Sequence, residues 1–373
     1  MKTTRRGWLA LALLSACGRK KATGYPGYAL IATAGENSVA AVDLTSFRLV
    51  KQIELGAQPR AVLPAQNRSL VLTPSTGSVQ VVDAGLRRVS SHKLADEVSA
   101  IRLTPDQKQV VALAVHSREL IIADAASLKV VRRHKLAAEP VALDVASTPY
   151  AAVSTREQSA VELFHLETGQ RWRAQLPGEI GAVRFRADGQ LLLVASLADR
   201  SLAALQVPGL QTIAELPLGM APENLCFNGD AGQLFVSGEG MDAVAIVFPY
   251  NTLEVEQTVL AGRDPGVMAC SVNPAYLFVA SHSGSDVCIL DVDSRKVIGI
   301  VEVGQKPAYI AITPDSQYAL VLDEASGDMA VIHVTGIRLT AEANRMKSGA
   351  ALFTVVPVGA QPVQAAIVPR SAV

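Results

Sequence analysis

The feature that most constrains this chain is that it repeats. Pro222, Pro265 and Pro307 recur at an interval of about 40 residues. Pro59, Pro140 and Pro222 recur at about twice that interval. Each unit opens with a short apolar burst: AVLP at Ala61, AIRLTPD at Ala100, VALDV at Val141, AVRFRADG at Ala182, NLCFNGD at Asn224, MACSVNP at Met268, IAITPDS at Ile310 and AAIVP at Ala365. A second burst follows, as in LVLTP at Leu70, LLLVAS at Leu191 and YALVLD at Tyr318, and then a third, as in VCILDVD at Val287 and MAVIHV at Met329. These runs are rich in β-branched residues and too short for globular helices. Pro-Asp and Asp-Gly steps between them suit tight turns.

Short strands at a fixed interval of this length are the mark of a propeller blade. The expectation is an all-β chain: a β-propeller of four-stranded blades, eight by this count, with seven as the alternative. The chain starts inside a unit, at its second strand, and ends with the first strand QAAIVP from Gln364. The C-terminal strand should therefore pair with the N-terminal three and close the ring, leaving no exposed sheet edge at the join. The unit from Pro307 is longer than its neighbours. Its surplus lies between third and fourth strands, near 335–350, where Thr340 to Lys347 could form a short helix.

Hydrophobic residues make up 49% of the chain and aromatics only 5%, so a large core must rest on aliphatic side chains. The 34 basic residues balance 34 acidic ones. That balance gives no long-range pull on a polyanion, and no nucleic-acid partner is expected.

The N-terminus reads differently. Lys2, Arg5 and Arg6 precede an apolar run from Trp8 to Leu14, which ends in Leu14-Ser15-Ala16-Cys17. The run is too short for a hydrocarbon layer of roughly 30 Å, which takes about 20 residues. Residues 1–17 are therefore expected to be an export signal, 18–27 a tether and 28–373 a single propeller domain. The Leu-Ser-Ala-Cys run resembles the lipobox of bacterial lipoproteins. That resemblance implies lipidation of Cys17, a membrane anchor, and a place on the cell or outer membrane, facing the periplasm or the outer surface. Thr4-Arg5-Arg6-Gly7-Trp8-Leu9 also resembles a twin-arginine export signal.

The unit VEVGQKPAYIAITPDSQYALVLDEASGDMAVIHV resembles the YVTN-type (YncE-like) β-propeller repeat family. Gly304, Pro307, Thr313, Pro314 and Asp315 carry the likeness, and Gly56, Gly262 and Gly359 repeat its Gly-x-x-Pro step. Family members are usually seven-bladed, often exported, and many have no assigned activity. Eight blades would look more like the haem d1-binding propellers, and lactonase-like propellers are a third relative.

In a propeller the loops from fourth to first strand share a face with those from second to third, and that face is the default binding site. Candidate rim residues for a ligand are Arg60, His116, Arg118, Arg156, Arg200, Arg263, His282, Asp286, Lys306 and Asp328. His282 and His116 are the side chains to watch for a haem or a divalent metal, but no His/Cys spacing supports one, and no cofactor is predicted. No nucleophile elbow or phosphate loop is present. Cys226, Cys270 and Cys288 remain in the domain, and buried thiols are the expected state. Asp291 and Asp293 read as turn formers.

Three functions compete. The first is an exported, membrane-anchored scaffold that binds a protein, peptide or small molecule at one propeller face, without catalysis. The second is a lactonase-like hydrolase or other propeller enzyme. The third is a haem- or tetrapyrrole-handling propeller.

Overall fold

The structure, a computed structural model, describes residues 24–156, 158–250, 252–337 and 351–370. The described chain is almost entirely strand, with three single-turn 3-10 segments. It forms eight four-stranded antiparallel sheets. In blade one the order is Arg48–Glu54, Ser38–Asp43, Gly27–Thr33 and Pro362–Pro369, so the last strand of the chain completes the blade that the first three begin. Leu30 pairs with Ala366 and Ile31 with Ala365 across that join. Blades two to eight start at Ala61, Ala100, Pro140, Ile180, Asn224, Pro265 and Pro307. The seven-bladed alternative is thereby set aside, and the closure expected from the sequence is the one observed.

Local chemistry explains the turns. In Thr104-Pro105-Asp106 the threonine hydroxyl donates to Asp106 at 2.7 Å, and the same hydroxyl accepts the Gln109 N–H at 3.0 Å. Thr313 and Asp315 repeat this arrangement at 2.6 Å, with the Tyr318 N–H at 2.9 Å. Each Asp also accepts an N–H two residues on, from Lys108 or Gln317, which is the Asx-type closure that makes aspartate a turn residue. Asp43, Asp124 and Asp291 end third strands and cap the following turns through Thr45, Ser127 and Ser294 N–H groups.

Second and third strands are buried on both faces, because each blade packs between two others. The core is consequently divided into clusters between neighbouring blades. One, for example, joins Phe278 and Ile289 of blade seven to Val321 and Ile332 of blade eight. Fourth strands alternate between exposed and half-buried residues, as outer edges should. First strands touch their counterparts in the neighbouring blades all the way round, so they form the innermost ring and wall a central channel.

The surplus in blade eight does fall between its third strand (Asp328–His333) and fourth strand (Leu352–Pro357). The helix expected at Thr340–Lys347 lies outside the described residues, as do the signal segment and most of the tether. The first strand observed begins at Gly27.

Candidate functional site

Fourth-to-first and second-to-third loops lie together on one face of the disc. Backbone hydrogen bonds stitch fourth-to-first loops onto second-to-third loops: Leu94 N–H to Gly77 O at 2.8 Å, Leu136 N–H to Arg118 O at 2.8 Å and His282 N–H to Asp264 O at 2.7 Å. All ten predicted rim residues stand on this face, but spaced around the ring rather than gathered. Arg60, Arg156 and Arg263 are exposed. Arg118 lends its carbonyl to Leu136. His116 is paired with Glu97, and Lys306 with Glu324 at 3.0 Å. Arg200 reaches over Gly240 of the next blade. Asp286 is half-buried and lies opposite Glu302. His282 is exposed, its Cβ beside Gly266 at the channel mouth. Asp328 is turned inward, opposite Asp323. Among the described residues no group of three or more His, Cys, Asp or Glu is placed to hold a metal ion.

Charges converge elsewhere, within the channel. Arg102, Asp144, Arg184 and Cys226 are each the penultimate residue of a first strand, in blades three, four, five and six (Ala100–Leu103, Pro140–Val145, Ile180–Phe185, Asn224–Phe227). Arg102 pairs with Val111, Asp144 with Ala152 and Arg184 with Leu193, in each case the third residue of the second strand. The three thus stand at one level, towards the turn face and away from the predicted rim. Ala269 and Ala311 hold the penultimate position in blades seven and eight, so the run of polar residues does not continue there.

The geometry of the arc is specific. Asp144 is only 8% exposed. One carboxylate oxygen accepts the Phe185 N–H of the next blade at 2.8 Å, an inner-edge donor with no strand beside it. The other oxygen lies 3.7 Å from the Arg184 guanidinium. Burial pushes the Asp144 carboxyl above its usual range, against the pull of Arg184, the Phe185 N–H and Arg102. Arg102 and Arg184 are exposed residues on innermost strands, so what they are exposed to is the lumen. Arg102 is nevertheless walled in by protein. Desolvation holds its pKa below the ordinary value and the like charge of Arg184 adds to this, while Asp144 and Tyr309, from blade eight, oppose it. Its one hydrogen bond goes to the Ile101 carbonyl at 3.1 Å, and among the described residues it has no carboxylate at ion-pair distance. Two guanidiniums therefore stand against one carboxylate, paired with Arg184 alone, which leaves the lumen cationic at this level.

Cys226 stands beside Arg184 and Cys270 beside Cys226, while Cys288 lies on the third strand of blade seven, and none of them adds a nucleophile. All three are free. Burial pushes Cys226 up to about 11, and Cys270 and Cys288 to about 12, so they are protonated thiols at neutral pH. The larger surface cavities lie away from the arc. One of about 630 Å³ borders His116 and Glu97, and one of about 550 Å³ borders Asp230, Tyr250 and Arg295.

Sequence reasoning missed Arg102, Asp144 and Arg184. A signal was present: each interrupts an otherwise apolar first-strand burst, and all three align when the bursts are stacked.

No protein-family model matches the chain. The seven-bladed β-propeller protein Rv1057 of Mycobacterium tuberculosis is 25% identical over 134 residues, which is 34% of either chain. The chain thus aligns with about a third of the length of this curated relative. Among solved structures, the dihydro-heme d1 dehydrogenase NirN in complex with DHE superimposes with a TM-score of 0.76 at 11% identity, over 92% of this chain and 75% of that one. Apo AztD from Citrobacter koseri superimposes with a TM-score of 0.68 at 12% identity, over 91% of this chain and 97% of that one. At such identities the likeness shows the fold. The class is therefore defined: an eight-bladed β-propeller with a charged arc inside its channel.

Proposed function

We propose that this chain is an exported, membrane-anchored propeller of the YVTN type that binds a small anionic ligand, bearing carboxylate or phosphate groups, in its central channel. The observation that carries the reading is the Arg102–Asp144–Arg184 arc, in which a desolvated guanidinium lacks a carboxylate of its own. Guanidinium forks suit planar oxyanions, and a walled site strengthens such contacts. Binding is preferred to hydrolysis because the three thiols of the domain are held protonated and the arc itself is built of two guanidiniums and a carboxylate that accepts a backbone N–H. The complex of NirN with DHE supports a haem-class ligand as the first to try. The lipobox-like Leu14-Ser15-Ala16-Cys17 supports the anchor.

The test is purification from the native envelope with any ligand retained, followed by an absorption spectrum and mass spectrometry. The purified chain is then titrated with protoporphyrin IX and with citrate. At least one of the two should bind, and Arg102→Ala with Arg184→Ala should weaken it tenfold or more while the fold is kept. Binding that survives both substitutions, or no anion bound at all, would sink the reading.

A further inference from the structure

The zero net charge hides a segregation that the ring makes visible. The outer strands of blades one to four are basic and exposed: Arg48 and Lys51, then Arg88 and Lys93, then Arg133 and Lys135, with Arg171 and Arg173 in blade four, against the single acidic residue Glu54. Outer strands of blades five to eight carry one basic residue, Lys296, against Glu215, Glu254, Glu256 and Glu302. Lysine and arginine on sheet edges can serve merely to keep edges apart. That role would call for them on every blade, and three of the eight blades, five, six and eight, do without them. Internal pairing does not cancel the arc either. Arg133 and Lys135 share the single carboxylate of Glu119, at 3.1 and 3.3 Å. Arg48, Lys51 and Arg171 make no ion pair among the described residues.

The arc also has a fixed relation to the chain's start. It begins on blade one, whose first strand in chain order opens at Gly27, and the segment leading there from Cys17 contains Arg19, Lys20 and Lys21. Ten extended residues reach at most about 35 Å. An anchor at Cys17 would thus hold the basic half of the ring near the bilayer.

We infer that the basic outer edge of blades one to four is a docking surface for an anionic lipid bilayer, seating the propeller edge-on beside its anchor. This rests on the membrane-anchored reading above. One acyl anchor with a polybasic surface is a known route to stable attachment, and each basic residue near an anionic surface strengthens it about fivefold. The acidic half of the ring would then face away from the membrane.

The test compares the full chain carrying Cys17→Ser with the same chain also carrying Arg48→Glu, Lys51→Glu and Arg171→Glu. Both are sedimented with vesicles of phosphatidylcholine alone and of phosphatidylcholine with phosphatidylglycerol. The first chain should favour the anionic vesicles, and raising the salt should erase the preference. The triple reversal should cut the anionic-to-neutral ratio at least thirtyfold with unchanged thermal stability. Equal partitioning of the first chain on the two vesicles, or a triple variant that binds as it does, overturns the inference. Retention on duplex DNA as strong as on anionic vesicles also overturns it, as it would mark a general polyanion surface. Mass spectrometry of the natural chain reads the acyl group on Cys17 separately, so a failed anchor and a failed docking surface give different results.

Discussion

Asp323 lies directly opposite Asp328 across the second and third strands of blade eight, and each has a buried carboxylate oxygen that no N–H or hydroxyl donor among the described residues reaches. In blades one, two and four the same pair of positions holds Thr33 with Ser38, Thr73 with Ser78 and Thr155 with Ala160. There the threonine hydroxyl donates to the opposite residue's carbonyl at 2.8 to 3.1 Å. An aspartate can imitate that donor only when it carries a proton.

The protein should therefore lose stability as pH rises through neutrality. Asp323 is fully buried, and burial together with the neighbouring Asp328 raises its pKa from 3.8 to about 8. A carboxyl whose folded pKa is raised contributes stability that is complete below its unfolded value and is lost as pH climbs to the folded value. Melting temperature measured from pH 5 to pH 9 should fall towards pH 8 and then level. Asp323→Asn should flatten the profile. An identical slope in the variant would show that the pair shares no proton.

Removing the Asp144 carboxylate should cost more than changing its charge. Asp144→Ala leaves the Phe185 N–H without its acceptor and Arg184 without its counterion. The expected loss is about 2–3 kcal/mol in chemical denaturation. Asp144→Asn keeps an acceptor for the Phe185 N–H and should lose less than half of that.

The closing strand should be indispensable. Deleting residues 362–373 exposes the whole inner edge of Gly27–Thr33 and uncovers Leu30, Val62 and Val71, which pack together with Ala366. The truncated chain should aggregate or melt without a cooperative transition, as seen by gel filtration and calorimetry. A cooperative melt at the full-length temperature would contradict closure by this strand.

The three thiols should be silent in the native state. Their pKa values near 11 and 12 leave almost no thiolate at pH 8. Labelling with a chromogenic disulfide reagent should be slow until denaturant is added, after which all three should react at once.

Much of the architecture was legible because it is local. Thr104-Pro105-Asp106 and Thr313-Pro314-Asp315 carry their turn geometry in three residues, and the β-branched bursts carry strand pairing in their own alternation. Even ring closure could be read, since the chain opens on a second strand and ends on a first. The rim was legible as a face but not as a site, because Arg60, His282 and Asp328 share a side of the disc without meeting.

By itself, then, the sequence determined the repeating unit and the way the ring closes, and it pointed to eight blades with seven left open for the structure to remove, since these depend on hydrophobic period and turn chemistry between near neighbours. Only the tertiary structure decided where charge accumulates. Arg102, Asp144 and Arg184 stand about 40 residues apart in the chain. They become a cationic arc only because curvature brings the penultimate positions of successive first strands around one channel. Arg48, Arg88, Arg133 and Arg171 become one edge of the disc for the same reason: closing a ring turns a position within the repeat into a place in space.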